Sequence, residues 1–391
     1  MTQTLTETLR PASPAELRDI LADAARDGAK LALRGGGSKR HIGRAEPDAT
    51  VLSLGGLSGV VDYDPAELVL TVRAGTPLAE IEALLAQRNQ MLAFAPFDHA
   101  PLFGEPAGAA TIGGVIAAGV AGPLRLMAGS ARDHLLGFHA VSGRGEAFIG
   151  GAKVVKNVTG YDLPKLMAGS WGRLAALTEL TVKVLPRPAL RLTRLVRGLA
   201  PAEAVALMAR VMGSAAEVSA AAHVPASAAH GGAPVTALLL SGFPPSVASR
   251  ARLLDDLTGG ACDAAGLENA ESDAFWQAVA CPVALPADLP LWRLAIASGK
   301  AAALIADLGL APSAYLLDWA GGLVWLASDL PAETVRAAAA AAQGHATLVR
   351  AGEAMRETVP ALPPREPAVA ALEERVRRAF DPAGLFETGR F

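Results

Sequence analysis

The 391-residue chain has only two cysteines, Cys262 and Cys281. Two thiols are too few for a disulfide framework, a zinc cluster or an iron–sulfur cluster, and so sparing a use fits a reducing compartment. Aromatic residues make up 5% of the chain and charged residues 19%, with a formal net charge of −3. No basic stripe with interleaved aromatics breaks this balance, so nothing recruits a nucleic acid. The start, MTQTLTETLR, lacks a basic segment followed by an apolar core and does not read as a secretory signal. One long uncharged run invites comparison with a membrane span, PAGAATIGGVIAAGVAGPL at 106–124. Glycine and alanine dominate it, and its mean apolarity is low for a spanning helix of about 20 residues. It reads instead as a tightly packed backbone segment that something large must approach.

What is present is apolar matter: 51% of the chain, enough for well-filled cores. At roughly 100–200 residues per domain, the length predicts two or three domains. Residues 14–27 place Leu17, Ile20, Leu21 and Ala24 at helical spacing, with Ser13 as N-cap and Gly28 as stop. KLALR then reads as a buried strand. Strand-like runs follow at 49–54, 59–64 and 67–75, and a helix at 77–88. Residues 100–150 are studded with glycine and read as mostly irregular. A helical stretch near 161–168 precedes a strong strand at 177–186. Two prolines in PRPALR mark a boundary. Beyond it the order repeats. Strand, helix, strand, strand and helix run from 190 to 257. A second round runs from 291, with a hairpin over 313–330 turning at Gly321-Gly322 and a last strand at HATLVRAG. Both halves approximate β-α-β-β-α-β, the ferredoxin-like split unit, so we expect two such units sharing one sheet, interrupted by 258–290. An amphipathic helix at about 368–380 and an irregular end close the chain.

The stretch RGGGSKR at 34–40 sets three glycines between cations, directly after a strand. Glycine permits positive φ and lets backbone N–H groups approach a ligand. Successive N–H groups lining a concavity make an anion nest. A phosphate or pyrophosphate is the natural guest, although a tight turn with solvated cations fits the same residues. The spacing is neither that of a P-loop nor that of a Rossmann fingerprint. A second small-residue run, GAATIGGVIAAGVAG at 108–122, offers another wall, as a flat, wide dinucleotide requires, or else close core packing. Ser130 and Asp133 in GSARDHLLGF add polar groups on the same rim.

The third stretch, GGAKVVKNVTGYDLPKLMAGSWGRLAALTELTVKVLP at 150–186, together with RGGGSK, closely resembles the FAD-binding domain of the vanillyl-alcohol-oxidase/PCMH flavoprotein family. Within it, VVKNVTGYDLPKLMAGSWG and VDYDPAELVLTVRAGTPLAEIEALL (61–85) are similar to the glycolate-oxidase branch, and the length to its smaller FAD-type subunit. The likeness runs from about residue 14 to FDPAGLFETGRF. The family's usual ending resembles FNPGRMY, so Glu387 and Thr388 stand where Asn-Pro is usual. Ser38 stands where some relatives carry a histidine bonded covalently to flavin, and His41 lies three residues further on, which implies noncovalent FAD.

The resemblance implies an α+β chain: a PCMH-type FAD-binding domain of two α+β subdomains (1–187), a ferredoxin-like duplicated α+β cap domain (188–358), and a C-terminal helix and tail packing back on the FAD domain (359–391). Carried over residue by residue, Arg34, Gly35, Gly36, Gly37, Ser38 and Lys39 would hold the pyrophosphate. Ala110, Thr111, Ile112, Gly113 and Gly114, with Gly119, would form the second wall. Ser130 and Asp133 would bond cofactor hydroxyls or order the loops, and Leu177 and Thr178 would face the adenine end. Lys156, Asn157, Tyr161 and Asp162 would stand near the substrate mouth or the domain interface. Tyr161 could equally bridge core and water, and Asp162 could cap the following helix.

Oxidising a 2-hydroxy acid such as glycolate needs a cation for the carboxylate and a base for the hydroxyl. Candidate bases are His99, His134 and His139, with His223, His230 and His345 less favourably placed; His99 is preferred. Arg125 and Arg132 are candidate clamps. A lone histidine is more often structural. The resemblance also implies partners, a larger flavin subunit and an iron–sulfur subunit, and a cytoplasmic chain, or one held peripherally at the cytoplasmic face of the inner membrane. A stand-alone flavin oxidoreductase and a flavin-empty scaffold are the competing readings.

Overall fold

The computed structural model describes residues 8–153, 160–226, 232–263 and 266–391. The chain divides into two compact units. Unit 1 comprises residues up to Ala121, Gly129–Arg187 and Pro364–Phe391; unit 2 comprises Gly122–Ala128 and Pro188–Pro363. No helix of the described residues is long and apolar enough to cross a membrane.

Among its described residues, unit 1 has two apolar cores. The smaller lies under the helix Pro14–Asp27. Ser13 Oγ accepts from the Glu16 amide at 3.1 Å to start that helix, and Gly28, at φ 67°, ends it. Leu17 and Leu21 on its inner face are fully buried, each contributing about 1.5–3 kcal/mol. They cover a parallel pair, β1 (Leu31–Arg34) and β2 (Thr50–Ser53). The larger core lies on an antiparallel sheet of β3 (Val60–Asp64), β4 (Val69–Arg73), β6 (Leu135–Ser142), β7 (Ala147–Gly151) and β8 (Ala175–Lys183), in the order β3-β4-β8-β6-β7. A short pair, β5 (Gln90–Met91) with β9 (Leu185–Pro186), lies outside it. Helices Leu78–Ala86 and Ile112–Ala118 pack on this core.

Residues 100–150 are therefore less irregular than expected, since β6 is an inner strand. Its glycine-rich neighbour β7 makes room for it: a Cβ on Gly150 would sit 2.4 Å from the buried Phe138 ring. The chain end packs back on unit 1. The Leu31 amide donates to the Leu385 carbonyl (2.8 Å) and Lys30 Nζ to that of Gly384 (2.6 Å). Buried Asp381 receives the amides of Leu385 and Phe386. Glu387 and Thr388 both take part in this docking. Thr388 Oγ1 donates to Glu46 (2.5 Å), and Glu387 pairs with Arg173 and Arg377.

Unit 2 carries β10 (Leu190–Arg197), β11 (Ala220–Val224), β12 (Val235–Gly242), β13 (Leu267–Glu268), β14 (Leu291–Ala295), β15 (Tyr315–Asp318), β16 (Leu323–Ala327) and β17 (His345–Arg350). Their order is β13-β10-β12-β11-β15-β16-β14-β17. Each half has the ferredoxin-like 4-1-3-2 order, and the halves meet where β11 pairs with β15. The stretch 258–290 is not a mere interruption. It supplies β13, the short fourth strand of the first half, and a helix, Asn269–Ala280. That helix is fixed to β10 by Arg191 on Asp273 (2.6 and 2.9 Å) and by Thr193 with Ser272 (2.7 Å). The hairpin reverses over residues 319–322, which include the expected Gly321-Gly322; Trp319 and Ala320 in the same turn are non-glycine residues at positive φ (51° and 54°).

Candidate functional site

The triple-glycine loop leaves β1 at Arg34 and turns under the segment that leads into helix Ile112–Ala118. The approach is backbone to backbone. A Cβ on Gly36 would lie 1.9 Å from the Ala109 carbonyl oxygen, and one on Gly35 2.1 Å from Thr111 Oγ1. Gly113 is as confined, with a Cβ placed 2.7 Å from the Ala74 carbonyl. Main chain fills the space at Gly36 and Gly113, and the Thr111 side chain fills it at Gly35, so a Cβ is excluded at all three. Only Gly37, at φ 85°, needs glycine for its conformation.

The two stretches bound one cleft of about 760 Å³, partly open to solvent. Residues 34–40 form one side, and Thr111, Gly113 and Gly114 the other. Ala117, Ala118, Trp171, Ala175 and Leu177 make the apolar part. Among the described residues, no protein group accepts the N–H of Gly36, Gly37 or Ser38. Three amides without partners beside a lysine and two arginines suit a diphosphate.

Neighbouring residues hold the cleft in shape. Asp98 accepts from the amides of Ala100 (2.9 Å), Gly108 (2.8 Å) and Ala110 (3.2 Å), which fixes the second wall. Arg390 also lines the cleft; it donates through Nε to the Ile42 carbonyl (2.8 Å) and through Nη2 to that of Lys39. Arg34 and Arg390 both face the carboxylate of Glu46, at 3.6 and 4.0 Å. Lys39 is buried, and desolvation pushes its ammonium down to about 8; Asp98 opposes the shift and Arg390 adds to it.

The expected cofactor residues do not all meet here. Arg34 to Lys39, Thr111, Gly113, Gly114 and Leu177 line the cleft. Ala110 and Ile112 are buried in the wall behind it, and Gly119, at φ 63°, ends the helix. Thr178 points to the other face of β8, where its hydroxyl donates to the His139 carbonyl (3.1 Å). Ser130 and Asp133 satisfy each other in a capping box, Oγ to Oδ2 at 2.8 Å. Tyr161 is 92% exposed, and Asp162 caps the helix Leu163–Met167 by accepting from the Lys165 amide (3.3 Å). Lys156, Asn157 and His230 lie outside the described residues.

No candidate base lines the cleft. His99 is buried and stacked on Phe97 with ring centroids 4.4 Å apart. Fully buried His134 uses Nδ1 on the Lys183 carbonyl (3.2 Å). His139 is half-exposed beside Glu179. His223 bonds Thr236 Oγ1 (2.9 Å), and burial pushes its imidazole down to about 4. His345 is exposed at the start of β17, and Arg132 is exposed in unit 1. Arg125 belongs to unit 2, where it stacks on Trp319. Sequence reasoning missed Arg390, Trp171, Asp98 and Glu46. Only Asp98, just before a glycine-rich run, had a local signal, that of a loop-ordering carboxylate.

Comparison with known proteins accords with this site. Residues 7–150 match the family described as FAD binding domain. The chain is 35% identical to the glycolate oxidase subunit GlcE of Escherichia coli K12, over 96% of each chain. It is 28% identical to the glycolate oxidase subunit GlcD of Bacillus subtilis 168, over 48% of this chain and 38% of that one. A solved alkyldihydroxyacetonephosphate synthase shares the fold at 13% identity, with a TM-score of 0.69 over 96% of this chain and 75% of that chain. With near-complete coverage by one relative and the glycine loop in the matched domain, the chain belongs to the FAD-linked oxidoreductase family of the glycolate oxidase subunit GlcE.

Proposed function

We propose that this chain carries FAD, held without a covalent bond, as one subunit of an assembly that oxidises glycolate or a close 2-hydroxy acid and passes the electrons to a partner iron–sulfur subunit. The observation that carries the reading is the cleft, in which unpartnered amides of Gly36, Gly37 and Ser38 face a wall of small residues. Its residues fit the group: amides and cations for the diphosphate, alanines, Trp171 and Leu177 for the flat ring. Bound flavin supplies the acceptor for a hydride from the α-carbon. The chain's own part is to bind, orient and exclude water. Two cysteines are too few thiolates to ligate an iron–sulfur relay in this chain, so onward transfer falls to a partner. The larger flavin subunit is the counterpart expected from relatives named as subunits GlcE and GlcD.

The test is co-purification, followed by glycolate-dependent dye reduction with and without the partners. The account predicts flavin in this chain and turnover only in the assembly. Turnover by the lone chain equal to that of the assembly would make it a stand-alone enzyme. Absence of flavin under saturating FAD would make it a scaffold.

Lys39 gives this binding a pH signature. A diphosphate favours the ammonium, so FAD affinity should be greatest below about pH 8 and fall as pH rises above it. Stability of the FAD-free chain runs the other way. Between about 8 and 10.5 the unfolded chain still holds a proton that folded Lys39 has released, so stability rises with pH. Lys39→Met should flatten both trends; equilibrium dialysis of FAD across this range checks the first, and an unchanged slope in the variant would assign it to another group.

A further inference from the structure

Unit 2 contains a cluster that the flavin cleft does not use. The turn of the β15–β16 hairpin holds Trp319 at positive φ, a costly conformation for a bulky residue. Its indole N–H donates to the Gly122 carbonyl (3.0 Å), which brings the short segment Gly122–Ala128 against the hairpin. The same ring carries two guanidiniums, Arg125 at 4.5 Å and Arg293, from β14, at 4.8 Å from its centroid. Among the described residues, neither guanidinium has a hydrogen bond or an ion pair. Beside them is Asp318, 1% exposed. Its Oδ1 accepts from the Trp319 amide (2.7 Å), while its Oδ2 is buried with no partner.

Two like charges on one ring repel, and Arg293 is partly desolvated as well. Its guanidinium is pushed down to about 10, by burial first and then by Arg125, with the neighbouring Asp318 carboxylate opposing the shift. Burial also pushes the Asp318 carboxyl up to about 7, so near neutrality much of it is protonated and able to donate from Oδ2. Asp318 offsets only part of the double positive charge on this ring, so two forked donors remain that a further anion would balance. We propose that Arg125, Arg293 and Asp318 of unit 2 form a binding site for the carboxylate of a small organic acid, with Trp319 as its brace. The carboxylate class follows from the side chains. That the acid is a 2-hydroxy acid rests on the proposed function. Arg125 is exposed and Arg293 half-buried, so an anion would meet Arg125 first.

The experiment is calorimetric titration of the full chain with glycolate and, separately, acetate, for the wild type and for Arg125→Met, Arg293→Met and the double variant. FAD content is read in parallel. We expect saturable glycolate binding, weaker by about tenfold or more in each single variant and lost in the double one, with FAD content unchanged. Arg125 is on the surface, so its variant reports even if Arg293→Met does not fold. Equal affinity in the wild type and Arg125→Met, or no saturable binding of either acid by the wild type, overturns the site. The two readings fail separately: carboxylate binding without FAD spares this site, and FAD-dependent turnover with untouched affinity in both variants spares the proposed function.

Discussion

Gly36→Val is expected to purify with at most a small fraction of the flavin that the parent chain retains, while unit 2 stays folded. The cause is steric and local. Gly36 has no positive φ, so the substitution does not strain its own backbone. What it meets is the Ala109 carbonyl oxygen, 1.9 Å from an ideal Cβ, with the carbonyl carbon at 2.9 Å. No flexible side chain is there to move aside, so the two walls of the cleft must part. Overpacking of this kind costs about 1–3 kcal/mol, and the loss falls directly on amides that act together, so FAD affinity should drop by about 10–100-fold. Gly37→Ala is the informative companion. Its position needs φ 85°, but the Cβ would have only Arg40 within reach, at 3.8 Å. It should cost about 1 kcal/mol of conformational strain and a correspondingly smaller loss of flavin. FAD released on denaturation, counted per chain, distinguishes the two; normal stoichiometry in Gly36→Val would place the diphosphate elsewhere.

Glu46→Ala should be the most destabilising single change near the cleft. The Glu46 side chain is 6% exposed and receives Arg34, Arg390 and the Thr388 hydroxyl, tying the glycine loop to the chain end. Removing it leaves two guanidiniums facing each other without their shared anion. Breaking a fully buried pair costs about 3–5 kcal/mol. Arg34, at 29% exposure, retains some water, so about 2–3 kcal/mol is the expected loss. For a unit of this size that lowers the midpoint of thermal unfolding by about 5–10 °C. Glu46→Gln keeps an acceptor for Thr388 and should fall between. Differential scanning calorimetry should show the shift in one transition only; a shift in both, or in neither, would contradict the assignment of Glu46 to unit 1's internal wiring.

Much of this was legible in the sequence, for identifiable reasons. The glycine loop and the 108–122 run are composed of residues whose smallness is the signal, and both border the cleft. The duplicated sheet of unit 2 follows from strand and helix periods that alternate in order. The helix Asn269–Ala280 was hidden because its buried face, Ser272, Trp276, Val279 and Ala280, is short and lies between glycine- and proline-rich stretches. Ser130 and Asp133 were misleading in an instructive way: the S-x-x-D spacing is that of a capping box, and the two side chains satisfy each other rather than pointing at a ligand. Arg390 and Glu46 carry no local signal. They meet only because the tail returns across the sequence, and no periodicity encodes that. Arg293 looks like any charged residue in an alternating strand until the hairpin turn sets Trp319 against it.

The central claim is that main-chain amides of the triple-glycine loop, facing the 109–114 wall, hold the diphosphate of FAD. Titrating FAD into the flavin-free full chain, followed by quenching of flavin fluorescence, tests it most directly when run beside Gly36→Val. The account predicts saturation at about one FAD per chain, with affinity in the variant lower by at least about tenfold. No saturable binding by the parent chain, or identical curves for the two proteins, would contradict it.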